Sequence, residues 1–412
     1  MDGAAPHGRA AHGHRAGGEE TVEVVKFALG RVPSVLFGPG TIGSLALQLR
    51  KYGTRALLVT GASSLEKSGR LAAIGKSLEA AGISYDTVPV NGEPSPELVD
   101  DAVKSFADME VHAVAAIGGG SVIDAGKAIS AMLHLGAPVA DYLEVVGTKS
   151  HDGVKTPFIA VPTTAGTGSE ATKNAVLSRA GEHGFKRSLR HDNLVPDLAL
   201  IDPELMKGCP VSITAASGLD ALTQLLESYV STAATPVTDA LAWSGLERIR
   251  ESLIPVCTVG GDDIGHRAGM AYAALMSGIA LANAGLGVVH GLASPLGAVF
   301  NIPHGVACGT MLAAAVKATV KKLGALGDTK YLVKYARAGA LLTGCDPRET
   351  GRCCARLAEL LEQWVDELAM PRLSAFGVRE EHFTGIIAEG GNKNNPAQLD
   401  AGEIAVMLRE RL

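Results

Sequence analysis

His290 and His304 stand inside a stretch, Ala268 to Val316, that contains no Asp, Glu, Lys or Arg. Imidazole is the commonest metal-ligating side chain and titrates near neutral pH, so two of them in one uncharged segment point to a metal or substrate site. For either histidine alone, the competing reading is a core residue satisfied by backbone. Pro303 and Gly305 flank the second histidine and set it on a turn. Gly269 to Val289 is also long enough to cross a bilayer. It is rich in Gly and Ala, carries Ser277 and Asn283 and lacks a flanking basic cluster, so it makes a poor span. The stretch is read instead as a buried helix followed by irregular, buried, site-forming chain.

A carboxylate is available to join the histidines. Gly218-Leu219-Asp220-Ala221-Leu222-Thr223-Gln224 has helical character, and Asp220 and Gln224, four apart, share one face. The rest of the helix is apolar, so Asp220 is expected at a buried site, where it needs a cation or strong donors. Two glycine-rich loops offer different chemistry. Ile117-Gly118-Gly119-Gly120-Ser121 runs from a strand into a helix that carries Asp124 and Lys127. Glycines let backbone approach a phosphate, and the free N–H groups of a helix start favour its charge. Pro162-Thr163-Thr164-Ala165-Gly166-Thr167-Gly168-Ser169-Glu170 is a second such loop after a later strand. In a parallel sheet both open on the carboxyl edge, where dinucleotides bind.

The elements that hold these residues follow from the patterning. Short apolar runs alternate with helical spacing: strands at Arg55–Thr60, Ser84–Val88, His112–Ile117, Pro157–Val161 and Leu198–Ile201 mean a parallel, doubly wound sheet. Two further short strands are expected at Thr21–Leu29 and Val32–Phe37, and a hairpin at Asn174–Ser178 and Phe185–Arg190. After Pro203 the strand patterns stop and seven helices are expected: 211–231, 236–253, 266–284, 305–320, 329–342, 348–368 and 400–412. The organisation expected is a disordered tail over 1–20, an α/β dinucleotide-binding domain over 21–205 and an all-α domain over 206–412. The net charge of −6 gives no basic excess for nucleic acid. The six cysteines, with no CxxC, predict neither disulfide nor zinc knot, and a cytoplasmic location fits. The N-terminus has no apolar core of a secretory signal.

Taken together, these motifs resemble the iron-dependent, group III alcohol dehydrogenases. The elements occur in family order: Phe37-Gly38-Pro39-Gly40, Gly118-Gly119-Gly120-Ser121 with Asp124 and Lys127, Pro162 to Glu170, Gly218-Leu219-Asp220-Ala221, and Asn283 through His290 to Pro303-His304-Gly305. The resemblance implies the dehydroquinate synthase-like fold of that family, with a divalent metal, Fe(II) or Zn(II), in the cleft between the two domains. The matching ligand positions are Asp220, Gln224, His290 and His304. Gln224 stands where the family has His, and its amide oxygen is a weaker ligand, so weak metal binding is expected. Ser294 stands where the family commonly has a proton-relaying His. Carried over by position, Gly118, Gly119, Gly120, Ser121 and Asp124 hold the cofactor pyrophosphate. Thr163, Thr164 and Thr167 flank the nicotinamide half, and Asn174 and Lys186 contact cofactor and cleft. Gly61 matches the family Asp that favours NAD. Its lack of charge leaves NADP(H) as open as NAD(H), with Lys67 and Arg70 nearby.

The expectation is an NAD(P)-dependent oxidoreductase that interconverts a small alcohol and its aldehyde or ketone. Asp220, His290 and His304 would be its catalytic metal ligands. It would have no nucleic-acid or membrane partner and would assemble as a homodimer or larger. The rivals are a metal-free reductase of an activated C=C bond, like the maleylacetate reductases, a sugar-phosphate cyclase of the same fold, and a non-catalytic nucleotide-binding protein.

Overall fold

The computed structural model describes residues 26–179 and 184–412. The N-terminal half contains strands β1 (Ser34–Phe37), β2 (Arg55–Gly61), β3 (Ser84–Val90), β4 (Ala113–Gly118), β5 (Phe158–Pro162), β6 (Asn174–Arg179), β7 (Phe185–Arg190) and β8 (Leu198–Ile201). Between them run helices α1 (Leu45–Arg50), α2 (Ser64–Lys67), α3 (Arg70–Ala80), α4 (Pro96–Phe106) and α5 (Gly120–Met132). Six strands form one sheet in the order β1-β8-β5-β4-β2-β3, with every described pairing parallel. The Val, Ile, Leu and Ala runs at its centre are buried on both faces, because helices cover both.

The register sets the ligand edge. Thr60 lies opposite Ile117, and Gly118 lies opposite Pro162. The ends of β2, β4 and β5 are therefore neighbours, and the chain turns to opposite sides of the sheet after β2 and β4. That is the switch point where an open α/β sheet forms its crevice. β6 and β7 form the expected antiparallel hairpin.

Beyond β8 the chain is helical: α6 (Val211–Val230), α7 (Pro236–Cys257), α8 (Ile264–Ala284), α9 (Val288–Phe300), α10 (His304–Leu326), α11 (Thr329–Thr343), α12 (Thr350–Glu367), α13 (Phe383–Glu389) and α14 (Ala401–Glu410). The core of this half packs α6 against α7, α8 and α10 through Leu222, Leu225, Leu246, Leu253, Met270 and Leu312. The charge-free stretch does not span as one rod. Gly285, at φ 68, ends α8, and α9 leaves at a bend of 101°. No single helix among the described residues is long and apolar enough to cross a membrane.

Three expectations are corrected. The chain after α8 is not irregular: α9 holds helix through Pro295, and α13 is a further helix the spacing did not reveal. Cys345 and Cys353 are paired as a disulfide, which the scattered cysteines did not predict. The strand expected at Thr21–Leu29 is not seen where it can be judged, since residues 26–29 form none. Its first five residues, like the tail over 1–20, lie outside the described residues.

Candidate active site

Helix α6 carries three polar side chains on one face of an otherwise apolar rod: Asp220, Gln224 and Glu227, spaced i, i+4 and i+7. All three are buried. Asp220 is the deepest, and neither of its carboxylate oxygens has a hydrogen-bond partner. An orphaned, buried carboxylate is costly unless a cation meets it.

His290 and His304 come to meet it. Asp220 Oδ1 lies 3.4 Å from His290 Nε2 and 3.6 Å from His304 Nε2, close contacts without hydrogen-bond geometry. His290 sits in the first turn of α9, and its other nitrogen is held: Nδ1 donates to Glu227 Oε2 at 2.7 Å. Glu227 Oε1 also accepts from the Val289 N–H at 2.7 Å, which fixes the start of α9 against α6. His304 opens α10 behind Pro303. Gly305 lets α10 approach, since a Cβ there would stand 2.6 Å from the Ala216 carbonyl oxygen.

One turn after His304, Cys308 points at the same centre. Its Sγ lies 3.6 Å from His290 Nε2 and 3.7 Å from His304 Nε2. The donor atoms of Asp220, His290, His304 and Cys308 all fall within 4.8 Å of one another. Gln224 lines the same cleft as the two histidines. Its Oε1 accepts from Ser277 Oγ at 2.7 Å and its Nε2 donates to the Thr167 carbonyl at 3.4 Å, so both ends of the amide are engaged.

The electrostatics fit a cation site. Burial pushes the Asp220 carboxyl up, but the two imidazoles outweigh it and hold the group below the ordinary carboxylate range. Burial works against a proton on His290, yet Cys308, Asp220 and Glu227 hold its pKa well above the usual value. Burial lowers His304. The Cys308 thiol is pushed up to about 12 by burial. Two buried carboxylates around one centre draw positive charge to it, and a divalent metal supplies that charge with a donor set suited to hold it. The residues present therefore fit a metal.

The second half of the site is a cleft of about 260 Å³ between sheet edge and helices. Gly120, Ser121, Asp124, Thr167, Asn174, Lys186, Gln224, His290, Ser294 and His304 all reach it, so both families of motif share one space. At its sheet side, Gly119 caps α5 and leaves the first N–H groups of a 13-residue helix facing the cleft end. The glycines here also pack. A Cβ on Gly118 would stand 2.5 Å from Val122, and one on Gly120 2.7 Å from Thr167, whereas at Gly119 the nearest atom is Thr164 Oγ1 at 3.3 Å. The Thr163 N–H donates to the Gly118 carbonyl and ties the two loops together.

Several predicted residues also make contacts within the protein. Asp124 Oδ2 accepts from the Val176 N–H at 3.1 Å, bracing α5 on β6. Lys127 is fully buried, and its ammonium donates to the carbonyls of Ser169, Thr172 and Asn174. Lys186 reaches the cleft from β7 and pairs with Glu93 at 3.1 Å. Gly61 ends β2 with open space beside it, the nearest atom to a Cβ being Ser64 Oγ at 3.8 Å. Arg70 is spoken for, since its guanidinium caps the carbonyls of Glu204 and Leu205.

Two residues escaped the sequence reading. Glu227 was signalled by its place seven residues after Asp220 on an apolar helix, and Cys308 by its place four after His304.

The fold agrees with comparisons against known proteins. Residues 33–203 match the family described as iron-containing alcohol dehydrogenase, and residues 214–412 match the C-terminal region of the Fe-containing alcohol dehydrogenase family. The chain belongs to the iron-containing alcohol dehydrogenase family. Alcohol dehydrogenase 4 of Saccharomyces cerevisiae is 33% identical over 401 residues, covering 92% of this chain and 96% of that protein. The NAD-dependent methanol dehydrogenase of Bacillus methanolicus is 34% identical over 275 residues, 66% of this chain and 71% of that one. Among solved structures, a 1,3-propanediol oxidoreductase superposes with a TM-score of 0.83 at 30% identity, covering 94% of this chain and 100% of that one.

Proposed function

We propose that this protein is an NAD(P)-dependent oxidoreductase that interconverts a small alcohol and its aldehyde or ketone with the help of a divalent metal. The observation that carries this reading is the pair of orphaned Asp220 oxygens facing two imidazoles in the same cleft as the glycine-loop edge of the sheet. Asp220, His290 and His304 would hold the metal, which when bound would act as a Lewis acid on the substrate oxygen. The nicotinamide cofactor would carry the hydride.

This chain's own residues supply orientation and charge. Glu227 fixes the tautomer and direction of His290 by taking its Nδ1 proton in a hydrogen bond, leaving Nε2 free as a ligand. The Gly118–Ser121 turn and the first N–H groups of α5 receive the cofactor pyrophosphate. Thr167 lines the cleft between that turn and the histidines, and Thr163 and Thr164, outside that lining, would flank the nicotinamide half as the resemblance implies. Lys186 and Asn174 provide polar contacts along the cleft wall. Asp124 braces the pyrophosphate turn through Oδ2 on β6, and its Oδ1, buried without a hydrogen-bond partner, stays available at the cleft wall. Gly61, at the switch point, offers no carboxylate to a ribose diol and no charge against a 2′-phosphate, and Lys67 follows it on α2.

The name of the Bacillus relative supports NAD as one cofactor for this fold. Ser294 lines the cleft at the position of the proton-relaying histidine that the resemblance implies. The test is anaerobic reconstitution with Fe(II) or Zn(II), followed by a panel of small aldehydes with NADH and NADPH. Metal-dependent oxidation of either cofactor supports the reading. Equal turnover in metal-stripped protein, or reduction of maleylacetate-like C=C substrates in place of aldehydes, would replace it with the metal-free reductase.

A further inference from the structure

The geometry points to Cys308 as the fourth protein ligand of the metal held by Asp220, His290 and His304, so that a thiolate takes the place the resemblance gives to residue 224. This rests on the proposed metal centre and specifies its donor set. A tetrahedral ion with bonds of about 2.0–2.1 Å to nitrogen or oxygen and about 2.3 Å to sulfur has edges of about 3.4 Å between N and O and about 3.6 Å between N and S. The contacts of Asp220 Oδ1 with the two imidazoles measure 3.4 and 3.6 Å, and those of Cys308 Sγ with the same nitrogens measure 3.6 and 3.7 Å. Four of the six edges of such a cage are therefore already in place, and the other two, Asp220 to Cys308 and His290 to His304, lie within 4.8 Å.

Independent features support the assignment. Asp220 is buried in the same centre with both oxygens unpartnered, so the thiol joins a group that itself calls for a ligand. Cys308 is fully buried and aimed inward. Its placement is enforced by packing: Gly305 and Gly309 flank it on α10, and a Cβ on either would meet Ala216 or Leu219 of α6 at 2.6 and 3.0 Å. Small residues on both sides of Cys308 therefore let α10 lie close enough to α6 to bring Sγ to Asp220. Gln224 is held in a separate polar contact with Ser277 and Thr167.

The consequence is metal choice. One carboxylate, two imidazoles and one thiolate form a softer set that suits Zn(II) and Co(II), whereas non-haem Fe(II) sites use two imidazoles and a carboxylate with open positions; because this set fills all four tetrahedral positions, the substrate oxygen of the proposed reaction would enter by expansion to five-coordination. On binding, the Sγ–H bond breaks, sulfur keeps the electron pair as the metal ligand, and the proton leaves to solvent.

The test is to load the full-length protein with Co(II) and record its absorption spectrum, then load it with Zn(II) and measure X-ray absorption at the zinc edge. We expect a sulfur-to-cobalt charge-transfer band in the near ultraviolet and one sulfur scatterer at about 2.3 Å from zinc. Cys308→Ser should remove the band and weaken Zn(II) binding at least about tenfold in chelator competition. Should that variant fail to fold, the zinc-edge measurement on the unaltered protein decides. One equivalent of metal bound with neither band nor sulfur scatterer would overturn the role of Cys308 and leave the metal-dependent reading standing. Failure to bind any metal would overturn both.

Discussion

Glu227 Oε2 accepts the Nδ1 proton of His290 at 2.7 Å, joining two residues 63 positions apart across α6 and α9. The bond sets which imidazole nitrogen faces Asp220, and it places a buried carboxylate behind a proposed metal ligand. Such partners raise ligand basicity and commonly contribute 10- to 100-fold to metal affinity. Glu227→Gln keeps the shape and removes the charge. We predict that it weakens Zn(II) or Fe(II) binding by about ten- to a hundredfold in a folded protein. Chelator competition measures this, and unchanged affinity would reduce Glu227 to a support for α9 alone.

Gly61 stands at the end of β2, and a Cβ there would have nothing nearer than 3.8 Å, so an acidic side chain fits. Gly61→Asp should raise the NAD(H)-to-NADP(H) preference ratio, because its carboxylate accepts from a ribose diol and repels a 2′-phosphate. Steady-state kinetics with both cofactors give the ratio. An unmoved ratio would shift the discriminating contacts to other residues, Lys67 first, since Arg70 is committed to backbone carbonyls.

The glycine turn needs a discriminating substitution. Gly118 and Gly120 are filled by Val122 and Thr167, so changing them tests packing before it tests cofactor binding. Gly119 has more room. Gly119→Ala should weaken dinucleotide binding about tenfold, or about 1.4 kcal/mol, while leaving the melting temperature nearly unchanged. Calorimetric titration with NADH and NADPH checks it, and full affinity in the folded variant would move the pyrophosphate away from this turn.

Much of this arrangement was legible in the sequence because it depends on local pattern. Alternating apolar runs and helices gave the sheet, and the glycines after β4 and β5 gave its ligand edge. Asp220, His290 and His304 stood out as polar residues in apolar surroundings. What escaped depends on packing between distant segments. Helix α9 was hidden by Pro295 and its neighbouring glycines, yet burial of Val289, Leu292 and Leu296 holds it helical. Gln224 had the right spacing to be a ligand, and the hydrogen bond that its oxygen accepts from Ser277 of α8 is a contact no local pattern announces. Cys308 was one of six cysteines without a recognisable motif, and only the packing of α10 on α6 brings it to Asp220. The pairing of Cys345 with Cys353 likewise needs the turn between α11 and α12 to bring them together.

Glu170 gives a prediction in pH. It is buried beside the Thr-rich loop, and burial pushes its carboxyl up from the ordinary 4.5 to about 7. The folded state then binds more protons than the unfolded chain between those values. Its contribution to stability is present below about pH 4.5 and lost as pH rises through about 7. Asp124, pushed by burial from 3.8 to about 6, has the same sign. Lys127, pushed down by burial from 10.5 to about 8, acts in the opposite sense at higher pH, where stability rises as the proton is shed. The melting temperature should therefore fall between about pH 5 and pH 7.5, and Glu170→Gln should flatten that fall. A variant that melts in parallel with the parent across this range would contradict the assignment.

The central claim is that Asp220, His290 and His304 hold a metal on which turnover depends. The measurement that tests it most directly is metal content and aldehyde-dependent NAD(P)H oxidation in the reconstituted protein, its metal-stripped form and His290→Ala. The account predicts one equivalent of metal and turnover in the first, with both lost in the other two and restored to the stripped protein by added metal. Full turnover in metal-stripped protein, unaltered by His290→Ala, would contradict it.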